Sequence, residues 1–108
     1  MEELNFFEKV YEVTRKIPYG KVTTYGIIAK YLSAPKSARM VGWAMNNSKD
    51  DHTIPAHRVV NRKGLLTGKK HFQGTDLMRQ LLENEGVVIK NDCIQNLDTY
   101  IWYPDNIK

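Results

Sequence analysis

Apolar residues recur at intervals of three and four through the opening stretch LNFFEKVYEVTRK (4–16). Phe6, Val10, Val13 and Ile17 form one stripe, with Phe7 and Tyr11 on an adjoining one. That spacing predicts an amphipathic helix whose aromatics belong to the core. Pro18-Tyr19-Gly20 ends it, because proline and glycine punctuate helices. After a short extended Lys21-Val22, Thr23 or Thr24 is placed to cap a helix from about Tyr25 to Leu32. The linker SAPK (33–36) leads into another short helix from about Ser37, in SARMVGWAMNN. Its small residues Ala38, Gly42 and Ala44 would let a second backbone approach closely, although Gly42 costs about 1 kcal/mol of helix propensity relative to alanine. A last helix is predicted in TDLMRQLLENEG (75–86), capped by Thr75, burying Leu77, Met78, Leu81 and Leu82, and stopping at Gly86.

Between these helices the period changes. HRVVNRKGLLT (57–67) reads as a strand, a turn at Asn61-Arg62-Lys63-Gly64 and a second short strand, and VVI (87–89) as a further short strand before a polar tail that includes YIWYP. Two short helices joined by a tight turn and followed by a hairpin predict a winged helix-turn-helix. The expected class is mainly α with a small β-hairpin wing, in a single domain spanning residues 1–108.

Composition narrows the class of function. The chain has 108 residues, 42% hydrophobic and 26% charged, which is globular rather than disordered. No apolar run reaches the roughly 18 residues of a membrane span, and the acidic start MEELN differs from a basic, then apolar, secretory leader, so a cytoplasmic protein is expected. The net charge is +4, but it is unevenly distributed. From Arg15 to Lys70 there are twelve Lys or Arg against only Asp50 and Asp51, while the flanking segments are each net acidic. Folded onto one face, that excess would attract a polyanion and release its counterions.

Candidate chemistry centres on TIPAHRVV (53–60), where a histidine and an arginine follow a proline and the intervening residue, Ala56, carries only a methyl group. His57 fits either a histidine satisfied by a buried carboxylate or part of a pocket wall. The single cysteine, Cys93 in KNDCIQN, has no histidine nearby in sequence and reads as a packing residue. His52, His57 and His71 lack compact ligand spacing, so no metal and no cofactor is expected.

Four stretches in order, IPYGKVTTYGIIA, SARMVGWAM, IPAHRVV and LLENEG, resemble the C-terminal DNA-binding domain of the O6-alkylguanine-DNA alkyltransferases. The likeness is strongest to the alkyltransferase-like proteins, which lack the acceptor cysteine. In the enzymes a proline-cysteine-histidine-arginine motif takes the alkyl group onto a thiolate, which a carboxylate-supported histidine generates. The resemblance places Ala56 at the cysteine, His57 at the histidine and Glu85 at the carboxylate, leaving a vestigial site with no catalytic residue. It likewise places Arg39 at the arginine finger that fills the gap left by an extruded nucleotide, and Tyr25 at the tyrosine that crowds the neighbouring phosphate. Ser48 or Asn47 stands where the family has an asparagine after the recognition helix.

On this resemblance the duplex is contacted through Tyr25, Arg39, Gly42, Ala44, Arg58, Arg62 and Lys63. The alkylguanine pocket is formed by Tyr25, Met45, Pro55, Ala56, His57, Val59 and Phe72. Trp102 and Tyr103 resemble the aromatic tail of short family members, which fits either pocket closure or core packing. The implied function is a non-enzymatic damage sensor, a monomer that binds duplex DNA through the minor groove and flips O6-alkylguanine into a pocket without a nucleophile. It would block alkyltransferase access and direct the lesion to nucleotide excision repair proteins. Two alternatives remain: an alkyltransferase relative with residual or engineered-out transfer activity, and a winged-helix transcription regulator.

Overall fold

The computed structural model describes residues 5–48, 51–67 and 76–104. Helix α1 (Phe6–Arg15) starts at a capping box: Asn5 accepts the Glu8 backbone N–H, and Glu8 reaches back to the Asn5 N–H. Val10, Val13 and Ile17 are buried as their spacing predicts. Strand β1 (Thr23–Thr24) runs directly into α2 (Tyr25–Tyr31), with the Thr24 hydroxyl accepting from the Ile27 N–H at 3.0 Å. Helix α3 (Ala38–Asn47) follows, packed on both α1 and α2. One 3-10 turn (Ala56–Arg58) then enters strand β2 (Val59–Val60), and α4 (Leu77–Asn84) ends at Gly86, whose φ of +92° suits a residue without a side chain. The chain closes with β3 (Ile89–Lys90), β4 (Cys93–Ile94) and a short α5 (Leu97–Tyr100).

Two apolar clusters share the strand pair β1–β2. Val59 belongs to the cluster under α1, α2 and α3, with Val10, Ile28, Val41, Ala44 and Met45. Val60 belongs to the cluster under α4, with Val22, Met78, Leu82 and Ile94. Successive strand residues point to opposite faces, so two adjacent valines tie both halves together. Both are fully buried, as suits a parallel strand covered on each side.

That burial corrects the expected wing. β2 does not form a ladder with the segment after the turn; it pairs in parallel with β1, Thr23 opposite Val59 and Thr24 opposite Val60. The turn itself forms, with Asn61 Oδ1 accepting from the Lys63 and Leu65 N–H groups and Gly64 at φ +80°. Beyond it, Leu65 bridges antiparallel to Cys93. The antiparallel hairpin is instead β3–β4, closed by Asn91 and Asp92, both left-handed at φ 54° and 58°, the geometry of a two-residue type I′ turn. The tail also does more than trail. Val22 bridges Ile101, the Trp102 N–H donates to the Val22 carbonyl at 2.7 Å, and Trp102 packs on the first cluster. Among the described residues no helix is long and apolar enough to cross a membrane.

Candidate nucleic-acid interface and pocket

Helix α3 separates an outer face from a buried one. Val41, Ala44, Met45 and the C-cap residue Ser48 point inward, while Arg39, Trp43 and Asn46 are exposed. The outer face, with Tyr25 and Thr67, walls an open groove of about 580 Å³. Arg39 lies in the first helical turn, where no acidic residue answers the partial positive charge of the backbone N–H groups. Cation and helix terminus therefore favour an anion at the same place. Tyr25 opens α2 at the groove edge, and burial pushes its phenol pKa up against a hydrogen bond to Thr67. It remains neutral near pH 7.

Gly42 lines this groove, and a Cβ built there meets nothing within 4 Å. Packing among the described residues therefore gives no reason for glycine in mid-helix. Ala44, expected beside it on the duplex, is instead fully buried, and its carbonyl accepts the Tyr11 hydroxyl at 2.8 Å. It is core.

A separate cavity of about 530 Å³ lies beside the 3-10 turn, walled by Met45, Ile54, Pro55, Ala56 and His57 and rimmed by Arg15, Asp51, His52, Leu77 and Leu81. Four of the expected pocket residues meet here: Met45, Pro55, Ala56 and His57. Tyr25 does not line it; it belongs to the groove. Val59 does not reach it either, being wholly within the core. Phe72 lies outside the described residues. Ser48 lines the cavity too, its hydroxyl donating to the Met45 carbonyl at 2.7 Å.

Behind Ala56 stands a buried polar cluster. His57 Nε2 is 2.7 Å from Glu85 Oε2, and the same carboxylate accepts from Arg58 Nε at 3.0 and 3.1 Å and from Arg58 Nη2 at 2.8 Å. The Gly20 backbone N–H donates to Glu85 Oε1 at 2.8 Å, and Arg58 Nη1 donates to the Ile17 carbonyl at 2.9 Å. Side-chain exposures are 6% for Glu85, 12% for His57 and 16% for Arg58. Burial pushes the Glu85 carboxyl up, but the hydrogen bonds from Arg58, Gly20 and His57 outweigh it and hold the pKa below the usual value. Burial pulls the His57 pKa down, Arg58 adds to that, and the attraction of Glu85 does not overcome them. At neutral pH the cluster is therefore a carboxylate facing a neutral imidazole. An ionised carboxylate only accepts, so Nε2 carries the proton and Nδ1 keeps its lone pair. Such a histidine is able to take a proton, but Ala56 has none to give.

Arg58 was expected on the duplex and is internal instead. Its guanidinium is committed to Glu85 and Ile17, with Tyr19 stacked 5.8 Å away. Arg62 and Lys63 are exposed on the turn. Cys93 lies in β4, near the Lys63 carbonyl, and does not line the cavity.

Two residues of the cluster and the groove went unnoticed in the sequence. Gly20 read only as a helix stop, yet its φ is +81°, a Cβ there would stand 3.3 Å from the Glu85 carbonyl oxygen, and its N–H holds the carboxylate. Trp43 is 55% exposed on the groove. Helical arithmetic, at about 100° per residue, puts Trp43 within about 40° of Arg39 and Ala44 about 140° away, a signal present in the spacing alone.

Comparison with known proteins agrees with this architecture. Alkyltransferase-like protein 1 of Schizosaccharomyces pombe is 40% identical over 103 residues, spanning 92% of this chain and 95% of that protein. The DNA base-flipping protein of Escherichia coli is 38% identical over 103 residues, spanning 94% of this chain and 77% of that one. The crystal structure of S. pombe Atl1 in complex with damaged DNA containing O6-carboxymethylguanine superposes with a TM-score of 0.84 at 39% identity, covering 96% of this chain and all of the other. The family model described as 6-O-methylguanine DNA methyltransferase, DNA binding domain, matches residues 5–87. With that match across most of its length, the chain belongs to the 6-O-methylguanine DNA methyltransferase family, through its DNA-binding domain.

Proposed function

We propose that the protein is a non-enzymatic sensor of alkylation damage, which binds duplex DNA through the minor groove and turns an O6-alkylguanine into the cavity beside Ala56. The observation that carries this reading is the pairing of a well-made His57–Glu85 cluster with a methyl group where a nucleophile would stand. A neutral imidazole and its carboxylate shape the pocket wall, and the methyl group of Ala56 beside them has no atom to attack an alkyl carbon. Flipping costs a few kcal/mol of stacking and pairing. Arg39, exposed at the start of α3, is placed to offset that cost by filling the gap in the stack, and Tyr25 by crowding the phosphate. Arg62 and Lys63 add contacts to the backbone.

Because no bond to the protein forms, the product is the complex itself. It shields the lesion from an alkyltransferase and presents it to nucleotide excision repair proteins. The protein acts as a monomer in the cytoplasm, one chain to one lesion, without a cofactor. The similarity to S. pombe Atl1, solved with damaged DNA, supports the same reading.

Two measurements test it together. Fluorescence anisotropy on matched duplexes with and without one O6-methylguanine should give tighter binding to the modified one, and intact-protein mass spectrometry after that incubation should show an unchanged mass. Equal affinities would remove the sensor. A mass gain equal to the alkyl group would establish transfer and favour the enzyme alternative.

A further inference from the structure

Trp43 has no part in the pocket, yet it is the bulkiest side chain on the outer face of α3. It is 55% exposed, one turn beyond Arg39 on the same face, and it walls the groove with Tyr25, Arg39 and Gly42. A Cβ on the neighbouring Gly42 would meet nothing within 4 Å, so the helix presents a flat aromatic on a groove that no described side chain fills. Exposed basic residues lie along the same stretch of chain: Lys30, Lys36, Arg39, Arg62 and Lys63. A flat apolar ring beside the Arg39 cation, on an open groove at the start of a helix with no acidic residue in its first turn, matches the chemistry of stacked bases within a phosphate frame.

We propose that Trp43 is a second DNA-contacting element of the recognition helix, laying its indole against sugars and base edges next to the step that Arg39 enters. This rests on the DNA-binding reading above. The spacing allows it: four residues of helix rise about 6 Å, and successive nucleotides of one strand rise about 3.4 Å, so the two side chains reach positions within about two steps of each other. The groove and the Ala56 cavity share no lining residue. Trp43 therefore touches the duplex and not the extruded base, and it supplies affinity without recognising the lesion.

The chain has two tryptophans, so Trp102→Phe leaves Trp43 as the sole indole reporter. Saturating duplex, modified or unmodified, is expected to quench its emission. Trp43→Ala should lower affinity about tenfold for both duplexes, with their ratio unchanged, and Trp43→Phe should recover most of that loss. Because Trp43 is largely exposed, both variants should melt near the parent temperature. Anisotropy of labelled DNA separates the possible failures. If the parent binds no duplex, the DNA-binding reading falls and this inference with it. If the parent binds while emission and Trp43→Ala affinity stay unchanged, only the inference falls. Loss of affinity for the modified duplex alone would refute the placement of Trp43 outside the pocket.

Discussion

Glu85 gathers four donor groups inside the protein, and its replacement by glutamine is the sharpest test of how the pocket wall is held. Glu85→Gln keeps the shape and leaves one oxygen for the Gly20 N–H. The amide nitrogen then faces Arg58 or His57, donor against donor, and the guanidinium loses its counterion at 16% exposure. Removing one partner of a buried ion pair costs about 3–5 kcal/mol. For a domain of this size, 1 kcal/mol shifts the melting temperature by about 4–8 °C, so a loss of roughly 12 °C or more is expected. Thermal and urea unfolding followed by circular dichroism measure it. The partner variant Arg58→Met should also destabilise, by stranding the carboxylate. The double variant should lose less than the two singles combined, with a coupling of about 0.5–3 kcal/mol, because it removes both charges at once. Additive losses, or a single loss under about 1 kcal/mol for Glu85→Gln, would refute the claim that this cluster locks the wall.

Three further outcomes follow from the same geometry. Arg62→Ala and Lys63→Ala should each reduce the dependence of log affinity on log salt by about one unit, whereas Arg58→Met should leave that slope unchanged, since Glu85 already neutralises the guanidinium; an altered slope for Arg58 would return it to the interface. Gly42→Ala should raise stability by up to about 1 kcal/mol, because the site has room for a methyl, and yet weaken binding several-fold by holding the duplex off the helix; unchanged affinity in a titration would show that Gly42 is not a contact. The pKa values of His57 and Glu85 are both depressed, so the unfolded chain binds more protons just below 6.5 and again just below 4.5. Stability should therefore rise with pH through each window and be lost as pH falls through it; a flat urea midpoint from pH 7 to pH 4 would contradict the assignment.

Helices α1 to α4 were legible because they are local. α1 follows from the period of Phe6, Val10 and Val13, α2 from its threonine cap, and the end of α4 from Gly86 in the left-handed region. Each depends on contacts within a few residues, which the order of residues specifies directly. The wing was misplaced for a different reason. Val59-Val60 and the turn after it match a hairpin locally, but two adjacent valines buried on opposite faces demand cover on both sides, and only β1 with the two helical clusters supplies it. On α3 the periodicity held the answer for Trp43 and Ala44.

By itself, the sequence determined α1 to α4, the basic middle of the chain, and the absence of a nucleophile at Ala56. Only the tertiary structure decided that Arg58 turns inward to Glu85, that Gly20 completes the carboxylate's hydrogen bonds, and that the Tyr25–Arg39 groove is distinct from the Ala56 cavity. Arg58 and Glu85 lie 27 residues apart and Gly20 and Glu85 lie 65 apart. Which exposed-looking charge is spent internally depends on burial, and burial is a property of the packed elements together, not of any segment alone.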